Sequence, residues 1–193
     1  MTTVVLEAVA EPILVDELSW QDFKAIERLI DRPGIRLSFL NGILEIRKMP
    51  GRQHGTVKKR IAALLEIYLE LKEFDFTPTG SMTLESEATS VKREADESYE
   101  LGSDRPYPDL AIEVAVTSGG IDKLEAYKRL TIPEVWIWQD GKLSLFALRA
   151  EGYELITQSE LLPDLDMELF NRCLNYTKHT EALKEFRRKL REE

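Results

Sequence analysis

Apolar residues recur along this chain with two different spacings, and each spacing predicts one kind of element. A three- to four-residue spacing predicts amphipathic helices over residues 19–31 and 53–72. Further helices are predicted over residues 121–130 and 166–191. Short apolar runs bounded by turn residues predict strands. These cover residues 35–40, 43–47, 109–116, 134–139, 142–148 and 153–157, with shorter β-like pieces between 74 and 103.

Local signals sharpen two of these boundaries. Asn41-Gly42 separates two strands, and because both residues tolerate positive φ they predict a tight hairpin. Ser19 followed three residues later by Asp22 approximates a capping box. The order of elements predicts an α/β or α+β fold, with a mixed β-sheet flanked by helices. An N-terminal helix and hairpin precede the sheet, and a C-terminal helix follows it.

Length and composition predict one domain over residues 1–193, with a core at about 15–170 and a helical tail at 171–193. No apolar run approaches the roughly 20 residues of a membrane span. The first residues lack the features of a signal peptide, and the single cysteine, Cys173, cannot form an internal disulfide. A cytoplasmic protein is therefore expected.

The net charge of −9 argues mildly against a nucleic-acid partner, because affinity for phosphate comes mainly from Lys and Arg. It does not exclude one, since a metal-binding cluster concentrates negative charge and basic patches are local. A solvated surface is the plainer interpretation of each basic patch. The patches are Arg47-Lys48, Arg52, Lys58 to Arg60, Lys92-Arg93 and Lys184 to Arg191.

Glu113 stands out because it lies in the middle of an otherwise apolar strand. Burial of an unpartnered carboxylate is costly, so Glu113 needs protonation, pairing or a metal. Ala111 and Ala115 share its face and leave room around it. Asp96 lies 17 residues earlier, a separation that suits two adjacent strands sharing one hard cation such as Mg²⁺. The alternative is a Glu113 that pairs with an arginine at the sheet edge.

Lys123 and Tyr127 follow on the next predicted helix and share one face of it. From there Lys123 is able to reach back over the end of the Glu113 strand and stabilise charge on a phosphate. An ordinary surface lysine is the alternative. Tyr127 is more typical of a core residue than of a catalytic one.

Together these residues resemble a bacterial restriction-endonuclease family, long catalogued as a domain of unknown function, of the PD-(D/E)xK nuclease superfamily. The resemblance runs from about residue 15 to 170. It is carried by six segments in the family's order and spacing. They are Leu40–Ile46 (LNGILEI), His54-Gly55, Glu94–Glu97 (EADE), Pro108–Val114 (PDLAIEV), Asp122–Tyr127 (DKLEAY) and Pro133–Trp138 (PEVWIW).

The resemblance implies Mg²⁺- or Mn²⁺-dependent hydrolysis of phosphodiester bonds, with DNA as the expected substrate. Asp96 and Glu113 would be the two acidic metal ligands of the family's motif. Glu45 matches a further acidic position that completes the cluster, and His54 matches a histidine that faces the site. Lys123 would assist the reaction electrostatically. For His54, a helix-capping or hydrogen-bonding role is the alternative.

Two positions depart from the family pattern. Ala95 stands in place of the usual proline, and Ala115 stands where the superfamily places its lysine. Lys123 on the following helix is expected to replace that lysine. If it does not, a catalytically inactive nuclease fold that binds DNA or a protein partner is the competing interpretation.

A homodimer is the remaining expectation, because restriction nucleases often work as symmetric dimers on duplex DNA. Leu183, Phe186 and Leu190 form an apolar stripe on the C-terminal helix that would supply the interface. The alternative is that these residues pack on their own domain.

Overall fold

The computed structural model describes residues 11–30, 32–48, 51–102, 104–115 and 120–192. These residues form five helices and eleven strands in two sheets, which is the α+β architecture that the sequence predicts. The helices are α1 (Trp20–Ile30), α2 (Arg52–Leu71), α3 (Lys123–Arg129), α4 (Met167–Leu174) and α5 (His179–Leu190). The strands are β1 (Ile13–Val15), β2 (Ile35–Leu40), β3 (Ile43–Lys48), β4 (Thr77–Pro78), β5 (Thr83–Ser86), β6 (Val91–Glu94), β7 (Glu97–Glu100), β8 (Leu110–Ala115), β9 (Glu134–Gln139), β10 (Lys142–Leu148) and β11 (Tyr153–Ile156).

The central sheet is mixed and has the strand order β11-β10-β9-β8-β7-β4. Strands β8 and β9 are parallel, and the other neighbours pair antiparallel. A parallel pair needs a crossover connection, which the segment containing α3 supplies. Every residue of β8 is buried, as expected for a strand that is covered on both faces.

The second sheet is antiparallel, with the order β1-β3-β2-β6-β5. Its outer face packs on α1, where Phe23 stacks on Phe39 with ring centroids 4.7 Å apart. Side chains alternate along strands, so Arg36, Glu45 and Arg93 lie on the inner face. That face is turned toward the central sheet.

The two faces of the central sheet have different coverings. Leu110 and Val114 face α2, α4 and α5 in the larger apolar core. Ala111 lies on the opposite face, where it packs with Tyr127 of α3 and with apolar residues of the second sheet. Glu113 alternates with its neighbours on β8 and therefore lies between the two sheets.

The first hairpin forms as predicted. Asn41 (φ +48°) and Gly42 (φ +91°) make the turn, and β2 has the predicted bounds while β3 extends to Lys48. At the start of α1, Ser19 and Asp22 form the predicted capping box, with reciprocal N–H···O bonds of 3.0 and 3.1 Å. The predicted ends at residues 31 and 116 lie outside the described residues, as do residues 1–5 and the Pro50 that follows the hairpin. Strand β1 was not predicted, because three residues are too few to show a period.

The single helix predicted over residues 166–191 is wrong, because α4 ends at Leu174 and α5 begins at His179. Arg60 of α2, which is 7% exposed, lies at the break. Its guanidinium donates to the carbonyl oxygen of Leu174 at 2.9 Å and to that of Tyr176. The last carbonyls of a helix have no helical N–H donor, and Arg60 supplies one to Leu174, which stabilises the end of α4. The interpretation of Arg60 as solvated surface is also wrong.

The apolar stripe of α5 packs on its own chain. Phe186 is fully buried and Leu190 is 7% exposed, and both belong to the core formed with α2 and α4, while Leu183 packs against that core. The stripe is therefore not available as the expected dimer interface. On its outer side, α5 carries exposed ion pairs such as Arg188–Glu185 at 3.0 Å. Among the described residues, no helix is both long and apolar enough to cross a membrane.

Replacement of Arg60 by methionine tests its role at the helix break. We expect Arg60→Met to lower the free energy of unfolding by about 2–4 kcal/mol, because two buried carbonyls lose a charged donor. Arg172→Met, at an exposed position on α4, is the control and should change it by less than about 0.5 kcal/mol. Urea denaturation measures both values. Equal effects of the two substitutions would show that the buried guanidinium does not stabilise the helix ends.

Candidate metal and catalytic site

Glu113 is 2% exposed, and both of its carboxylate oxygens accept hydrogen bonds. Arg93 of β6 binds it as a fork, with Nε 3.0 Å from Oε1 and Nη2 2.8 Å from Oε2. The Tyr127 hydroxyl donates to Oε1 at 2.5 Å. These two residues fill the space that Ala111 and Ala115 leave on their face of β8. Glu113 thus pairs with an arginine, but one from the second sheet rather than from the sheet edge.

Asp96 lies between β6 and β7, beside the middle of β8. Its N–H donates to the carbonyl oxygen of Ile112 at 3.1 Å, and its Oδ2 accepts from the N–H of Val114 at 2.8 Å. Arg36 Nη1 is 2.7 Å from Oδ1, and His54 Nε2 is 2.9 Å from Oδ2. The expected adjacency of the two carboxylate-bearing segments is therefore present, since β7 pairs with β8.

The surroundings of Asp96 favour its ionised form. Burial alone would raise the pKa of this carboxyl. The hydrogen bond of His54, the charge of Arg36 and the N–H of Val114 outweigh burial and hold the pKa below its usual range. Asp96 is therefore a carboxylate at neutral pH. His54, 6% exposed at the start of α2, hydrogen-bonds Asp96 and so faces the cluster.

Glu45 of β3 joins the cluster from the second sheet. Its Oε1 is 2.7 Å from Arg47 Nε and 3.8 Å from Arg93 Nη1, so Arg93 lies between the carboxylates of Glu45 and Glu113. The Oε2 atom accepts from the N–H of Ile121 at 2.9 Å. This bond fixes the backbone of Ile121, just before α3.

Gly120 allows the backbone before α3 to come this close to the Glu45 carboxylate. Its φ is +97°, and a Cβ at this position would lie 1.9 Å from Glu45 Oε2 and 2.1 Å from Arg47 Nη2. A side chain would therefore meet both members of the Glu45–Arg47 ion pair. Glycine is required here for its conformation and for space.

Lys123 begins α3, whose N-cap Asp122 accepts from the N–H of Glu125 at 3.1 Å. Its Nζ lies 3.9 Å from Glu113 Oε2, and its side chain is 16% exposed. Burial lowers the pKa of Lys123, while the negative charge of Glu113 opposes that shift. The structure thus places Lys123 where the spacing predicts, beside Glu113 and not on the open surface.

Three further residues of the cluster were not predicted from the sequence. Arg36 binds both Asp96 and, at 2.9 Å, Glu94. Arg93 was interpreted only as part of a solvated basic patch, which is wrong for a side chain that is 4% exposed. Tyr127 was assigned to the core, and it is buried there while its hydroxyl binds Glu113.

The other acidic residues near the motif have local partners. Glu97 is buried and forms ion pairs with Lys59 at 3.2 Å and Lys58 at 3.8 Å. Asp109 accepts from the N–H of Leu101 at 2.8 Å, beside the start of β8. These contacts are structural and leave Asp96, Glu113 and Glu45 as the candidate acidic residues.

The donor chemistry of this cluster fits a hard divalent cation. Two carboxylates completed by waters and a substrate phosphate suffice for Mg²⁺, so Asp96 and Glu113 are the residues that would hold it. The described residues do not, however, bring three or more carboxylate, imidazole or thiolate groups together as a ligand set. Arg36 and Arg93 instead occupy oxygens of the two carboxylates.

A mixed sheet flanked by helices, with buried acidic residues on β8 and just before its neighbour β7, is consistent with a restriction-endonuclease-like fold. Residues 20–174 match the profile of the Uma2 family, whose description is putative restriction endonuclease. This match covers most of the 193 residues, and the chain belongs to that family. A comparison with curated proteins found no match. Membership supports a nuclease-like function, and restriction-endonuclease-like proteins generally use divalent metals.

Alanine substitution at two glycines with similar φ tests whether the closeness of Gly120 to Glu45 matters for stability. We expect Gly120→Ala to lower the free energy of unfolding by at least about 2 kcal/mol, because it adds a clash with Glu45 to the strain of positive φ. Gly34→Ala is the control, since Gly34 has φ +91° and a Cβ added there would have no heavy atom within 4 Å. Gly34→Ala should lower the free energy of unfolding by about 1 kcal/mol. Thermal unfolding compares them, and equal losses would mean that only the backbone conformation matters at Gly120.

Proposed function

We propose that this protein is a Mg²⁺- or Mn²⁺-dependent endonuclease that hydrolyses phosphodiester bonds in DNA. The observation that carries the proposal is the meeting of Asp96, Glu113 and Lys123, which come from three separate segments of the chain, on one face of the central sheet. Family membership supports the same reaction class. The expected cytoplasmic location is part of this proposal and stays a prediction.

In this proposal Asp96 and Glu113 hold the cation, with Glu45 as the third acidic residue of the cluster. A bound cation supplies positive charge to the scissile phosphate and lowers the pKa of the attacking water. His54 orients Asp96 through its 2.9 Å contact. Tyr127 holds Glu113 in place through its hydroxyl.

Lys123 replaces the lysine that is absent at position 115. Ala115 is 8% exposed and brings no charge to the cluster. The Lys123 ammonium, 3.9 Å from Glu113, supplies positive charge on the same side of β8. It would stabilise the negative charge that develops on the phosphate during hydrolysis. The alanine at position 95 is compatible with this site, and its N–H donates to the carbonyl oxygen of Met82 at 3.3 Å.

A catalytically inactive nuclease fold that binds DNA or a protein partner is the second candidate function. The engagement of Glu113 and Asp96 by Arg93 and Arg36 favours it, because ion pairs then satisfy both carboxylates. Such a protein would bind its partner and cut no DNA.

Removal of Asp96 tests the metal-dependent reaction. We expect Asp96→Ala to slow Mg²⁺-dependent plasmid cleavage by at least about a hundredfold, because the cation loses a ligand. Glu94→Gln is the matched control, since Glu94 also pairs with Arg36 but is outside the proposed ligand set, and it should cut at close to the wild-type rate. An Asp96→Ala protein that cut DNA as fast as the wild type would end the proposal.

Replacement of Lys123 separates catalysis from metal binding. We expect Lys123→Met to lose about 10²–10³-fold in cleavage rate while Mn²⁺ still binds, because Lys123 stabilises charge and is not a ligand. Plasmid cleavage and titration calorimetry give the two readouts. Wild-type protein that binds Mn²⁺ and DNA without cutting would instead support the inactive nuclease fold.

A further inference from the structure

Arg93 binds the carboxylate of Glu113, which a cation at this site would also have to bind. Its guanidinium takes both oxygens of Glu113, at 2.8 and 3.0 Å, and its Nη1 is 3.8 Å from Oε1 of Glu45. The side chain is 4% exposed and comes from the opposite sheet. A positive charge held between two acidic residues of the proposed metal site is therefore part of the fold.

We propose that Arg93 is a built-in competitor of the divalent cation: it neutralises Glu113 while no metal is bound and leaves Glu113 when metal binds. This inference rests on the proposed function, since it concerns the loading of the same site. The cluster would thereby remain folded and charge-balanced without metal. Metal binding would be weakened by the contact that has to break.

The geometry makes Arg93 and a cation competitors for the oxygens of Glu113. The fork-shaped guanidinium takes one acceptor site on each carboxylate oxygen, and Tyr127 takes a second site on Oε1. Little acceptor capacity remains for a cation. A divalent ion at Glu113 would also be strongly repelled by a guanidinium at hydrogen-bonding distance in a buried site. Arg93 therefore has to move away for Glu113 to become a ligand.

Glu45 gives the displaced arginine an acceptor. Its buried Oε1 forms an ion pair with Arg47, whose Nε is 2.7 Å away. Because Arg93 Nη1 is already 3.8 Å from this oxygen, a small side-chain rotation would bring it into hydrogen-bond range. The exchange would not leave Arg93 as an unpaired buried charge. Glu45 would then serve as the receiving carboxylate.

Lys123 provides a matched control for the effect of charge alone. It carries the same charge as Arg93 beside the same carboxylate, but at 3.9 Å it occupies no oxygen of Glu113. Removal of Lys123 lowers the repulsion of a cation without freeing an acceptor. Removal of Arg93 lowers the repulsion and also frees acceptor sites on Glu113.

The test is Mn²⁺ titration of the full chain without DNA, by calorimetry and by the shift in Tm. We expect Arg93→Gln to bind Mn²⁺ at least about tenfold more tightly than the wild type and to show the larger Tm increase. Lys123→Gln should gain only about two- to threefold, from reduced repulsion. Adding Glu113→Gln to Arg93→Gln should remove the gain.

Three results would overturn the proposal. The first is an Arg93→Gln protein that binds Mn²⁺ no more tightly than the wild type, which includes no binding by either. The second is a gain no larger than that of Lys123→Gln. The third is a gain that persists without the Glu113 carboxylate.

Arg93→Lys covers the case in which Arg93→Gln does not fold. Lysine keeps the charge but cannot occupy both oxygens as a fork, so an intermediate gain in Mn²⁺ affinity is expected and an unchanged affinity would overturn the proposal. Plasmid cleavage by the wild type distinguishes the two proposals. Cleavage without the gain refutes the role of Arg93 alone, and the gain without cleavage refutes the nuclease alone.

Discussion

The buried ion pair between Arg93 and Glu113 links the two sheets through opposite charges, beside the apolar contacts that they share. Glu113 lies on a strand that is buried along its whole length, so its charge needs a partner from another element. The second sheet supplies that partner from β6. Loss of one member of such a pair typically costs about 3–5 kcal/mol, because the other remains buried and charged. The position of the second sheet over β8 and the pairing of Glu113 are therefore linked.

A second contact of the same kind lies one strand away. Arg36 of β2 binds Asp96, which is hydrogen-bonded to the backbone of β8. Here four acidic side chains face four basic ones: Glu45, Glu94, Asp96 and Glu113 against Arg36, Arg47, Arg93 and Lys123. The cluster is thus balanced although the whole chain has a net charge of −9. Its balance explains how so many ionised groups are accommodated between two sheets.

Features with a local cause were predictable from the sequence, and features with a distant cause were not. The Asn41-Gly42 hairpin and strands β9 and β10 depend on neighbouring residues; β2, β9 and β10 have the predicted bounds, and β3 is one residue longer. The break between α4 and α5 is stabilised by Arg60, more than a hundred positions earlier in the chain. Likewise, Glu113 could be singled out from the sequence because it is a carboxylate within an apolar strand. Its partner Arg93 was not, because only the packing of the sheets brings the two together.

The ion pairs described on α5 differ from those between the sheets in their exposure to ions from the solvent. Arg188 and Glu185 are joined at the surface, where dissolved salt screens their attraction, whereas Arg93 and Glu113 are shielded from it. Rising ionic strength should therefore weaken the ion pairs on the surface of α5 while the interior cluster keeps its strength. The surface charges of α5 therefore respond to dissolved salt, whereas the charges between the two sheets do not.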